Sequence, residues 1–94
     1  RSQKNDNKNF DDVSSSWFIR LSVSDEPGVL ASIAGTFSEN NVSIESVIQE
    51  GRGEQAELVL VTHEAPEKDM QNSINEIASL DSVTSVTSTL RVYS

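Results

Sequence analysis

The chain has 94 residues, no cysteine and a formal net charge of −8, with 15 acidic against 7 basic side chains. Such an excess repels phosphate backbones and anionic headgroups, which argues against nucleic acid and membrane as partners; solubility is the plainer use of the acidity. Without cysteine there is no disulfide framework, thiolate metal site or cysteine nucleophile, and a single histidine excludes a multi-His metal site or His-based triad.

Residues 1–16 contain only Phe10 and Val13 as large apolar side chains, and their three basic and three acidic residues cancel. A segment this polar buries too little to offset the entropy of ordering it, so it reads as a flexible leader or linker ahead of one domain over 17–94. The start at Arg1 rather than Met points to a fragment of a longer protein. No apolar run approaches the roughly twenty residues of a membrane span and no signal-peptide pattern is present, so a cytoplasmic location is expected.

From Trp17 to Ser24 apolar and polar residues alternate, with Trp17, Ile19, Leu21 and Val23 on one face of a half-buried strand. Asp25-Glu26 leads to Pro27 at the expected first helical position, and Val29, Leu30, Ile33, Ala34 and Phe37 form one helical stripe. Asn40-Asn41 is the expected helix end, because Asn tolerates the left-handed conformation. A second strand spans Val42–Gln49, with a bulge expected at Val47-Ile48, and Gly51-Arg52-Gly53 has turn chemistry. The third strand, about Gln55–Thr62, sets Ala56, Leu58 and Leu60 on one face and Val59 and Val61 on the other, which predicts cover on both sides. Pro66 opens a second helix with a stripe of Met70, Ile74, Ile77 and Ala78, and Val83–Tyr93 is a fourth strand rich in Val and Thr.

The order β-α-β-β-α-β, with right-handed crossovers, places both helices on one face of a four-stranded antiparallel sheet. The expected class is therefore α+β, a ferredoxin-like sandwich. That scaffold hosts unrelated functions, so function has to come from residues. A single-stranded RNA reader needs sheet-face aromatics and a basic surface, and this chain has neither in quantity. A soft-metal chaperone needs a cysteine pair. An acylphosphatase-like enzyme needs an arginine in a phosphate-cradling first loop, but Ser24-Asp25-Glu26-Pro27-Gly28 is acidic and Arg20 lies within the strand. His63, at a strand end, reads as a solvated side chain.

The segment that stands out is Asp25-Glu26-Pro27-Gly28-Val29-Leu30. The amides of Gly28, Val29 and Leu30 at a helix start can receive a carboxylate, Gly28 permits close approach, and Asp25 can pair with an ammonium. Both halves match a free amino acid. The same residues also make an ordinary helix start, and the physics alone does not choose between the two.

This segment, with Ala31-Ser32-Ile33-Ala34 after it and then Asn41-Val42-Ser43-Ile44, resembles the ACT domain signature of a strand, a D-x-P-G-V-L turn, a helix and a G-(I/V)-(N/S)-I strand. Asn41 stands where that pattern usually has Gly. Within the superfamily, residues 43–49 and 56–65 resemble the C-terminal domain of homoserine dehydrogenases. The resemblance covers roughly 17–92. It implies a non-catalytic regulatory domain that pairs side by side into a homodimer and binds an amino-acid effector, threonine in that pathway. Carried over by position, the effector site takes Asp25, Gly28, Val29 and Leu30 from one chain and Ser43 and Ile44 from its partner, with Asn41 nearby. No cofactor is implied for these residues, and NAD(P) would belong to a catalytic part elsewhere, since no Gly-rich dinucleotide fingerprint is present. Two alternatives share the scaffold: a ligand-free dimerisation module, and the regulatory domain of another amino-acid enzyme such as an acetolactate synthase small subunit or phosphoglycerate dehydrogenase.

Overall fold

The computed structural model describes residues 14–53 and 55–92. The expected leader lies outside the described residues up to residue 13, as does Tyr93. Ser14–Ser16 already belong to the first strand.

Seven elements follow in order: β1 (Ser14–Ser24), α1 (Val29–Glu39), β2 (Ile44–Arg52), β3 (Gln55–Thr62), β4 (Ala65–Pro66), α2 (Glu67–Ala78) and β5 (Val83–Val92). β1 lies inside the sheet, antiparallel to β3 on one side and to β5 on the other, and β2 flanks β3 as the opposite edge. The two-residue β4 was not expected. β1 pairs with β3 as far as Phe18 with Val61, and β4 then pairs Ser15 with Ala65 and Ser14 with Pro66. At that junction the amide of Trp17 donates to the buried Thr62 Oγ1 at 3.1 Å, so a side chain substitutes for a ladder carbonyl.

The alternation in β1 becomes a core. Trp17, Ile19, Leu21 and Val23 are buried with Ala56, Leu58 and Leu60 of β3, under Val29, Ile33 and Phe37 of α1 and Met70 and Ile77 of α2. Asn40 Nδ2 bridges the helices by donating to Glu76 Oε1 at 3.1 Å. Among the described residues no helix is long and apolar enough to cross a membrane.

Several local expectations are corrected. Val59 and Val61 are half-buried rather than covered, because both helices pack on the other face of the sheet. Pro27 lies in the turn before α1, which starts at Val29 after a left-handed Gly28 (φ 86°). Leu30 is exposed and Ala34 half-buried, so the buried α1 stripe narrows to Val29, Ile33 and Phe37. On α2, Ser73 is buried where Ala78 was expected; its hydroxyl donates to the Asp69 carbonyl at 2.9 Å, which satisfies it without an outside partner. The β2 register shift falls between Ile44 and Ser46 rather than at Val47-Ile48, and β2 starts at Ile44 and runs on through Gly51 and Arg52.

The end of α1 follows the expected chemistry. Asn41 (φ 64°) is the one non-glycine residue with positive φ among those described. The amide of Val42 donates to the Phe37 carbonyl at 2.9 Å and that of Asn41 to the Ser38 carbonyl at 3.0 Å, which together form a Schellman motif. Val42 and Phe37 are both buried, supplying its usual apolar contact. Asn41→Gly is expected to leave stability within about 0.5 kcal/mol, since Gly gains backbone ease and loses unfolded-state entropy. Asn41→Val is expected to cost about 1–2 kcal/mol, since a β-branched side chain opposes this conformation. Urea unfolding of the two variants measures the contrast.

Candidate functional site

β1 ends where the amide of Ser24 donates to the Ser82 carbonyl at 2.8 Å, anchoring the strand to the α2–β5 connection. The chain then turns: the Glu26 amide donates to the Ser24 carbonyl at 3.0 Å and the Val29 amide to the Glu26 carbonyl at 3.3 Å. The left-handed Gly28 reverses direction into the helix, and its carbonyl accepts from the Ser32 amide at 2.9 Å. α1 has no acidic residue in its first turn and no side-chain N-cap. Among the described residues, the acids adjoining the partial positive charge of its start in sequence are Asp25 and Glu26 in the loop before it.

Beside this turn lies an open cavity of about 240 Å³, lined by the loop and by Val23, Ala31, Gln49 and Leu58. It is smaller than the ~300 Å³ at which sites for drug-sized ligands begin, a scale that suits a free amino acid. The expected Asp25, Gly28, Val29 and Leu30 all line it. Asp25 Oδ2 sits over Gly51 of β2, 3.6 Å from where a Gly51 Cβ would stand, which places the carboxylate against the sheet.

Asn41, Ser43 and Ile44 are not at this cavity. Ile44 pairs with Thr62, whereas Gly51 pairs with Ala56, so the two groups lie at opposite ends of β2. Seven residue steps along the strand separate them, roughly 20 Å. One chain brings together four of the seven expected residues and leaves three at the far end.

Gln49 and Leu58 were missed from the sequence. They are cross-strand partners on the helix-facing side of the sheet, as are Val47 with Leu60 and Gly51 with Ala56. A bulge set at Val47-Ile48 hides this parity; with the shift at Ile44/Ser46, the run Val47-x-Gln49-x-Gly51 reads as one face. Gln49 is then the polar residue of β2 next to the loop, and its amide can both donate and accept.

The lining chemistry favours a zwitterion. Asp25 and Glu26 are the charged lining residues, both anionic, with Ser24 and Gln49 as the neutral polar ones. A ligand that is purely anionic meets two carboxylates, while one carrying an ammonium beside a carboxylate finds a partner for each. A dinucleotide does not fit, because the turn has one glycine, Gly28, and acidic neighbours where a pyrophosphate cradle needs several glycines. His63 is exposed after β3, its amide donating to the Ser43 carbonyl at 2.9 Å. No group of three His, Cys, Asp or Glu among the described residues is placed to hold a metal.

Comparison with known proteins agrees with this geometry. The ACT domain model matches residues 17–82. The chain is 40% identical over 86 residues to a homoserine dehydrogenase of Neisseria gonorrhoeae, covering 89% of this chain and 20% of that protein. It is 38% identical over 84 residues to the Bacillus subtilis homoserine dehydrogenase, covering 86% and 19%. The crystal structure of a homoserine dehydrogenase from Thiobacillus denitrificans superposes with a TM-score of 0.80 at 30% identity, over 89% of this chain and 19% of that one. The ACT domain of a Chlorobium tepidum GTP pyrophosphokinase shares the fold alone, with a TM-score of 0.66 at 14% identity over 85% of this chain and all of that domain. The chain thus spans about a fifth of the length of the homoserine dehydrogenases it matches. With the βαββαβ order, the Asp25–Leu30 turn and the family match over most of its length, this chain belongs to the ACT domain family.

Proposed function

We propose that this domain senses a free amino acid, threonine, and regulates a homoserine dehydrogenase of which it forms a part. The observation that carries the reading is the cavity at the start of α1, where Asp25 and the free end of the helix stand side by side. The ligand's ammonium pairs with Asp25. Its carboxylate takes the Gly28 and Leu30 amides, and Gln49 reads the side chain. The catalytic part, its NAD(P) and the homoserine chemistry belong to the parent enzyme, which acts in the cytoplasm; these 94 residues contribute regulation and no catalytic group.

The site is completed by a second chain. β2 is an edge strand whose regular part, Ser46–Arg52, leaves one row of backbone groups without a strand partner among the described residues. β5, the other edge, is broken by two register shifts, which makes it the poorer template. Antiparallel pairing of two β2 strands centred near Ile48 sets Gly51 of one against Glu45 of the other. Ser43 and Ile44 of the partner subunit then reach the cavity beside Asp25, with Asn41 next to them. Regulation follows if threonine binds this paired state better than another arrangement of the parent enzyme.

Calorimetric titration of the chain with threonine tests the reading, with saturable heat at one ligand per chain as the expected result. The same β2 edge also favours a plain dimerisation module. Absence of heat with threonine and with every other proteinogenic amino acid, in a chain that is still dimeric, selects the module instead.

A further inference from the structure

Among the described residues, none packs on the sheet face turned away from the helices. The register sets Leu90, Phe18 and Val61 side by side across three strands, and Arg20, Val59 and Ile48 beside them. Ile48 is 60% exposed and Leu90 59%. Phe18, Val59 and Val61, on the inner strands, are only half-buried. The charge of this face is nearly balanced: Arg20 and Glu57 form an ion pair at 2.8 Å, and Glu50 lies at the border opposite Glu57. Asp25, Glu26 and the acids of both helices lie elsewhere.

We infer that this face binds a second copy of the chain, sheet against sheet, about a twofold axis. In a molecule of net charge −8, two copies repel wherever acidic surface meets acidic surface. The apolar rows around Arg20 and Glu57 are where they can touch without that penalty. The face is also self-complementary in charge, because a twofold axis lets Arg20 of each copy approach Glu57 of the other. Four strands about 4.8 Å apart and some eight residues long give a face of about 500 Å² per copy, or about 1,000 Å² for two, at the lower bound of specific interfaces. The association is therefore weak and concentration-dependent. It uses a different surface from β2 edge pairing, so either contact can form or fail without the other.

The test is the mass of the unsubstituted chain and of Val61→Lys/Leu90→Lys, measured by light scattering over a dilution series in the micromolar range. Both side chains point out of the sheet, and neither lies on the β2 edge. The substitutions lower the net charge from −8 to −6, so general repulsion falls while two unpaired cations enter the face. The expected result is a mass that halves at the highest concentration with circular dichroism unchanged. If the double variant unfolds, Leu90→Lys alone, at the more exposed position, carries the same comparison. Equal masses for variant and unsubstituted chain at every concentration overturn the proposal. A chain that stays monomeric throughout also overturns it and assigns the face to another part of a longer polypeptide.

Discussion

Replacing Asp25 by Ala is expected to weaken threonine binding by about 10- to 100-fold if its carboxylate holds the ligand's ammonium. A hydrogen bond to a charged group is worth about 1.5–3 kcal/mol, and each 1.4 kcal/mol is tenfold in affinity. The side chain is exposed, with its Oδ2 standing over Gly51, so its loss costs the fold little. Asp25→Asn separates charge from shape: the amide keeps the volume and loses the ion pair. Asn is expected to bind nearly as weakly as Ala, and calorimetry on both variants measures it. Affinity for threonine unchanged in Asp25→Ala would remove Asp25 from the site, and with it the orientation of the ligand.

The second large effect concerns the core. Phe37 is fully buried and belongs both to the α1 stripe and to the motif that ends the helix. Phe37→Ala is expected to cost about 3–5 kcal/mol, from lost transfer energy and the cavity left behind. For a domain of this size that lowers Tm by roughly 15–30 °C, a large share of the whole stability. Ile33→Val, which removes one methylene at an equally buried place, is expected to cost about 1 kcal/mol. Thermal and urea unfolding give both values. A loss below about 1 kcal/mol for Phe37→Ala would contradict a core centred under α1.

Both effects were partly legible in the residues. Period-two alternation in Trp17–Ser24 and helical spacing of Val29, Ile33 and Phe37 place the core side chains directly, because burial on one face is what those periods encode. Asn41 was legible as a helix end through its tolerance of positive φ. The Asp25–Leu30 turn was legible as chemistry, though Pro27 sits two positions before the first helical residue because Gly28 takes the left-handed cap. Leu30 and Ala78 were misread, and Ser73 passed over, for a shared reason: a stripe drawn from hydrophobicity alone assigns burial to the residue type, whereas position on the helix and a locally satisfied hydroxyl decide it.

What the sequence by itself determined is the order of elements, their inward faces and the residues of the turn, since these rest on local periodicity and backbone preference. Tertiary structure alone decided which distant residues meet. The β2 register brought Gln49 and Gly51 to Asp25, and set Asn41, Ser43 and Ile44 at the other end of the strand. It also left Val59 and Val61 on an open face, because both helices cross to the same side of the sheet. Register depends on where a bulge falls, and the residues between two possible places of the bulge exchange faces. No local pattern in β2 states that position; pairing with β3 does.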